Sequence, residues 1–427
     1  MVDHLFRARA GQMVACLTRL FGPAHLELVE EVVQDALVKA LQQWPYSGIP
    51  DNPGGWLFRV ARNGALDVLR RDASFAARAD AVAAELTRLG DAPERSDPLA
   101  AAPADDELRM IFMCCHPSLP RDGRVALSLK TVGGFSIDEI ARAFLVPPAT
   151  IAQRLVRAKR QIRHASLSLD LPAAHEFPAR LESVLETIYL LFNEGYTAHR
   201  GDDLIRIDLC REALRLGRAV AGTPATTAPG AHALVALMAF HAARLDTRVD
   251  TDGELVLLED QDRSQWDWRL IALGFQHLDR CAEGAEQTTY HLQAVIAAAH
   301  ATTTDASATP WPRILDLYEE LMALSPTPVV MLNRAVAIAR VRGPEAALRE
   351  LEMIESDPAL ARYYLLPSVK GRLLEALGSN REAAASFRLA LQQTCSEPER
   401  RFLLRRIEGL ALASAHSPKT RSSEIDQ

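Results

Sequence analysis

Ser136-Ile137-Asp138-Glu139-Ile140-Ala141-Arg142-Ala143-Phe144-Leu145-Val146-Pro147-Pro148-Ala149-Thr150-Ile151-Ala152-Gln153-Arg154-Leu155-Val156-Arg157-Ala158-Lys159-Arg160-Gln161-Ile162-Arg163-His164 reads as two helices joined by a tight turn. Ser136 followed by Glu139 is a capping box, which opens the first helix. Ile140 and Phe144 point inward, and Leu145-Val146-Pro147-Pro148 makes the turn. A proline suits the first turn of the next helix, where its missing N–H has no partner to lose. In that second helix Ile151, Leu155, Ala158 and Ile162 fall within about 60° of one another and form a buried stripe. The opposite face carries Thr150, Gln153, Arg157, Arg160 and His164, with Arg154 and Lys159 on its flanks. An apolar back with a cationic, amide-bearing front suits the major groove of DNA, where Arg forks to guanine and Gln pairs with adenine. The competing reading is a solvated basic face on an ordinary core helix.

The charge balance fits that reading once it is resolved along the chain. The 427 residues carry 48 basic and 55 acidic side chains, a net charge of −7. Residues 1–73 are neutral, 74–108 sum to −5, 109–166 to +7 and 167–427 to −9. A compact basic block between acidic regions points to a nucleic-acid surface. Apolar content of 48% excludes a mostly disordered chain. The longest apolar run, Ala233 to Phe240, is too short to span a bilayer. The first residues lack a signal-peptide core, and six cysteines do not make a disulfide framework. These features predict a cytoplasmic protein with no membrane association.

Nearly every other segment also has helical period, as in Val29, Val32, Val33, Ala36, Leu37, Ala40 and Leu41. No alternating strand stands out, so the fold is read as all-α. Prolines and glycines between Trp44 and Gly55 predict a loop there, with a helix from Trp56 to Arg71. That helix bears Trp56, Arg59, Arg62, Asn63, Arg70 and Arg71, and cations with an amide on one helix suit melted DNA. Residues 74–106 read as an acidic linker. Loops are expected at 221–230 and 301–310. Gly343 and Gly378 stand 35 residues apart in similar surroundings, close to the tetratricopeptide period. Plain helical hairpins are the alternative.

Together these stretches resemble the bacterial extracytoplasmic-function sigma factors of the sigma-70 class. The matching segments are Val33-Gln34-Asp35-Ala36-Leu37-Val38-Lys39-Ala40-Leu41, then Gly55-Trp56-Leu57 through Asn63, Asp67 and Arg70-Arg71, then 136–164. The resemblance is closest to a subgroup with a long C-terminal helical extension ending in tetratricopeptide-like repeats. It implies a non-enzymatic subunit that binds core RNA polymerase (the β′ clamp helices and the β subunit) and promoter DNA. It places Gln34, Asp35, Leu37 and Lys39 on the polymerase. Trp56, Arg59, Arg62, Asn63, Arg70 and Arg71 fall at the −10 element. Thr150, Gln153, Arg154, Arg157, Lys159 and Arg160 fall at the −35 element. The implied organisation is a region 2 domain at 1–73, the linker at 74–106 and a region 4 helix-turn-helix domain at 107–168. A helical extension at 169–300, repeats at 301–415 and a disordered tail at 416–427 follow. One departure is Pro148, where the family commonly has an acidic residue.

Other constellations read less sharply. Cys114-Cys115-His116 sits without a second pair at zinc spacing, so a buried structural role is expected and no metal or cofactor. Asp35 and Asp67 lack the partners a catalytic acid needs, so no catalytic residue is assigned. Glu259, Asp260 and Asp262, beside Arg263, read first as an intramolecular interface. The bolder expectation is a regulatory surface that docks on the sigma domains or engages a protein or ligand partner. The alternative function is a stand-alone helix-turn-helix repressor with a helical sensor domain, which leaves Gln34-Asp35 and 56–71 unexplained.

Overall fold

Helix α1 (Val2–Phe21) ends at Gly22, whose φ of 90° breaks the helix. Helix α2 (Leu26–Ser47) then buries Val29, Val32, Val33, Ala36 and Ala40, while Leu41 of the same periodic pattern is left 67% exposed. α3 (Pro53–Leu69) buries Leu57, Phe58, Ala61, Ala65 and Leu69. Its N-cap is Asn52, whose side chain accepts from Gly55 N at 2.9 Å. The expected loop from Trp44 to Gly55 is therefore shorter than the prolines suggested. Pro45 lies inside α2. It is in the last turn, where the lost N–H removes one bond and the helix still closes through Gly48 N on Trp44 O at 3.0 Å. The Trp44 and Trp56 rings meet edge to face at 5.6 Å across the remaining turn.

The computed structural model describes residues 2–70, 104–144, 146–196, 205–281, 287–303, 305–361, 363–393 and 396–416. Arg71, most of the expected linker and the tail beyond residue 416 lie outside the described residues. Among those described there are 18 helices and no strand, only an isolated bridge between Val249 and Leu255. They fall into two units, Met1–Leu191 and Phe192–Gln427. No described helix is long and apolar enough to cross a membrane.

In the first unit α4 (Ala104–Cys114), α5 (Arg121–Thr131), α6 (Ile137–Phe144) and α7 (Pro148–His164) follow α3. The predicted capping box is present: Ser136 N donates to Glu139 Oε2 at 2.8 Å, and Glu139 N to Ser136 Oγ at 3.1 Å. The predicted stripe of Ile151, Leu155, Ala158 and Ile162 is buried. Two close approaches join this bundle to α1. Arg19 donates to Asp106 at 2.9 Å, and a Cβ on Gly11 would stand 2.1 Å from Val132 O. The first turns of α8 (Phe177–Tyr196) complete the bundle. Arg180 donates to Phe112 O at 2.9 Å, and Ser183 to Cys115 O at 2.5 Å.

The second unit is built around α10 (Pro229–Ala242), which buries every residue from Ala231 to Phe240. This is the apolar run of the sequence. It lacks an amphipathic face because it is covered all round, by α9 (Ile207–Gly222), α11 (Trp268–Cys281) and α12 (Thr289–Ala301). Helices α13 (Trp311–Leu324), α14 (Pro328–Arg342), α15 (Pro344–Glu352), α16 (Leu365–Ala376), α17 (Asn380–Leu391) and α18 (Glu397–His416) follow. Gly343 and Gly378 turn α14 into α15 and α16 into α17, with φ of 90° and 76°. That is the conformation the repeated glycines are there to supply. Phe387 and Ala390 are fully buried.

The fit around Phe387 is tight. A Cβ on Gly371 would lie 2.6 Å from its Cε1. Gly371→Ala is expected to cost about 1–3 kcal/mol, whereas Gly409→Ala, with nothing within 4 Å on α18, should stabilise by about 0.4–1 kcal/mol. Denaturant unfolding of the two variants checks the opposite signs.

Candidate nucleic-acid interface

With its stripe buried, α7 presents Gln153, Arg157 and Arg160 fully to solvent and Thr150 in part. Its flanks are committed elsewhere. Arg154 Nε lies 3.0 Å from Asp122 on α5. Lys159 donates to Glu30 of α2 at 2.5 Å, with both side chains under 15% exposed. Arg163 reaches Glu27 at 3.4 Å. Lys159 was expected on DNA; here it faces α2, because the stripe that buries Ala158 turns the next residue toward the first turn of that helix. The acidic partners Glu27, Glu30 and Asp122 were not foreseen. The i,i+3 spacing of Glu27 and Glu30 places them on one helix face, and that was the available signal.

On α3, Arg59 and Asn63 are exposed and Trp56 is half-buried against Trp44. Arg62 donates twice, from Nε and Nη2, to Asn63 Oδ1 at 3.3 Å. Arg70 is exposed and 3.9 Å from Asp67, a surface contact of small value. On α2, Gln34, Asp35 and Lys39 are exposed and Leu37 is half-buried. Val38 and Leu41 extend that surface as apolar groups, 45% and 67% exposed. Together α2, α3 and α7 offer one partly apolar face and two cationic ones on a single unit.

Comparison with known proteins matches this geometry. Residues 5–75 match the Sigma-70 region 2 family and residues 109–162 the Sigma-70, region 4 family. The ECF RNA polymerase sigma-E factor of Escherichia coli (strain K12) is 33% identical over 168 residues, 37% of this chain and 83% of that protein. The chain belongs to the extracytoplasmic-function sigma factors. The Salmonella typhimurium (strain LT2) sigma-E factor is 32% identical over the same share. An uncharacterized protein of Rhizobium meliloti (strain 1021) is 38% identical over 420 residues, 97% of both chains. Residues 180–282 match a family of unknown function, DUF6596. No solved structure matches.

Membership of this family makes the chain a transcription initiation factor and not an enzyme. It also accounts for α3, which a simple repressor would leave without a role. Cys114 and Cys115 are buried in the region 4 bundle, with Sγ atoms 3.1 Å from Thr131 Oγ1 and 3.5 Å from Ser128 Oγ. Burial pushes both thiols up, so neither is a thiolate near neutral pH. No group of three metal-ligating side chains occurs among the described residues.

The acidic cluster of the extension is spent inside its own unit. Glu259 is paired with Arg340 on α14, and with Arg372 on α16 at 2.5 Å. Asp262 caps a short turn, accepting from Ser264 N at 3.0 Å and Ser264 Oγ at 2.7 Å. Nearby Glu254 holds Arg401 and Arg405 of α18 at 3.2 and 2.6 Å. Asp260 and Asp262 are both exposed. The interface reading of these residues describes what Glu259 and Asp262 do.

With α7 read as a DNA-facing helix, the Lys159–Glu30 pair is expected to withhold one cation from duplex DNA. Glu30→Gln frees a cation on α7, so log K against log salt for duplex DNA should steepen by about 0.9. Adding Lys159→Ala should return the slope to the wild-type value. Anisotropy titrations across a salt series check both.

Proposed function

We propose that the chain binds core RNA polymerase through α2 and directs transcription from promoters read by α3 and α7. Gln34, Asp35, Leu37 and Lys39 with exposed Val38 and Leu41 form the polymerase-facing surface. Trp56, Arg59, Arg62, Asn63 and Arg70 act at the −10 element, together with Arg71, which lies outside the described residues. Thr150, Gln153, Arg154, Arg157 and Arg160 act at the −35 element, joined by Lys159 once it leaves Glu30. The observation that carries this reading is the exposure of Gln153, Arg157 and Arg160 directly opposite a buried apolar stripe.

Geometry adds a step. Elements centred at −10 and −35 lie some 25 base steps apart, about 85 Å along B-form DNA at roughly 3.4 Å per step. A compact body of about 190 residues has a radius of gyration near ~16 Å. The pairing of α7 with α2 must therefore open before both elements are held at once. The 33 residues between Arg70 and Ala104 reach about 110 Å when fully extended, enough for that separation.

The extension, in this reading, tunes promoter use through contacts within the chain or with a partner. α8 closes on the region 4 bundle through Arg180 and Ser183. A chain ending at Tyr196 is the form to compare with the full chain.

Two outcomes test the assigned faces. Arg157→Ala or Gln153→Ala should cost about 1–3 kcal/mol at the base pair lost, changing the −35 sequence preferred in competition transcription from a promoter library. Leu41→Asp should weaken binding to core polymerase at least tenfold without unfolding, since the side chain is 67% exposed; binding to labelled core enzyme reads it.

A further inference from the structure

In the second unit, where α8 ends and α10 hands over to the following turns, cations gather without an ion-paired carboxylate among the described residues. Arg248 and Arg263 are only 9% and 6% exposed. The Arg248 guanidinium lies 3.9 Å from the Tyr196 ring centre and donates to Tyr196 O. The Arg244 guanidinium stands 5.4 Å from the same ring and 3.5 Å from His241 Nδ1. His241 is 5.0 Å from Tyr196, ring to ring. Arg263 donates to the carbonyls of His300 and Thr303 at 2.8 and 3.0 Å, and to Thr309 Oγ1 at 3.2 Å.

All of those acceptors are neutral, and among the described residues no ion pair involves Arg244, Arg248 or Arg263. Asp305, the carboxylate whose field reaches Arg263, is exposed and accepts from Ser307 N at 2.7 Å. Arg244 instead feels Arg248 and Arg263, which disfavour its charge. Three polar atoms in this group are buried and have no partner among the described residues: Tyr196 Oη, Arg263 Nε and His300 Nδ1. Burying like charges beside orphaned donors is costly unless a counter-charge completes the site. Surface ion pairs elsewhere in the unit show that acids were available, yet Glu259 and Glu254 turn to Arg340, Arg372, Arg401 and Arg405.

We propose that Arg244, Arg248 and Arg263, with Tyr196, His241 and His300, form an oxyanion site that takes the phosphate or carboxylate group of a small ligand. Guanidinium groups fork to either anion, and a tyrosine hydroxyl supplies a further donor. Burial first, then the neighbouring arginines, lowers the pKa of both imidazoles, that of His300 to about 4. Near neutral pH they therefore act as neutral hydrogen-bonding groups. Tyr196, His241, Arg244 and His300 keep partial exposure, which gives the ligand a way in. Tyr196 through Arg263 fall inside the segment that matches the family of unknown function. The site stands independently of the polymerase reading, since it is measured on the full chain alone.

The test is the thermal midpoint and hydrogen exchange of the full chain in inorganic phosphate, malonate or chloride at equal ionic strength. Phosphate or malonate should raise the midpoint by several degrees over chloride and protect the amides of 190–196 and 240–248. The more effective anion identifies the ligand group. Arg244→Gln should weaken the effect at least tenfold in anion concentration. Tyr196→Phe, which keeps the ring and removes only the unpartnered hydroxyl, should weaken it several-fold. Equal midpoints in all three salts, or an unchanged anion response in a folded Arg244→Gln or Tyr196→Phe variant, would overturn the proposal.

Discussion

Ile151, Leu155, Ala158 and Ile162 set the rotation of α7 about its axis, and with it the direction of every cation on that helix. Burying side chains of this size is worth about 1.5–3 kcal/mol for each of the larger ones. A surface ion pair is worth about 0–1 kcal/mol. Packing therefore decides and charge follows. Once the stripe faces the α5 and α6 side of the bundle, Gln153, Arg157 and Arg160 have only solvent to face, and Lys159 has only α2. The readiness of region 4 for DNA and its attachment to region 2 are two results of one apolar seam.

The contacts that join the two halves of the first unit include the packing of α1 along α4, the Gly11–Val132 approach and ion pairs of Arg19, Lys159 and Arg163. The extension is organised differently. Its loop between Gly253 and Asp262 is strapped to α14, α16 and α18 by Glu254 and Glu259.

The legible parts of this protein are those whose causes are local. Ser136 and Glu139 are three residues apart, so their capping box was readable, as was the stripe of α7. Gly343 and Gly378 announced their turns because a positive φ needs that residue. The cationic and amide pattern of α3 was also local, although Pro45 hid the true end of α2. What could not be read joins residues far apart: Glu30 to Lys159, Glu259 to Arg340 and Arg372, and Tyr196 to Arg244, Arg248 and Arg263. In that last case the sequence drew attention to the acids at 259–262. The fold turned them outward or onto α14 and α16 and left the arginine among them buried.

The central claim, that the chain is a promoter-selecting subunit of RNA polymerase, is tested most directly by run-off transcription with purified core enzyme on a pool of genomic promoters, reading start sites by sequencing. The account predicts transcripts that depend on this chain and share two short upstream elements at a fixed spacing. Binding of the chain to duplex DNA with no transcripts and no association with core polymerase would contradict it.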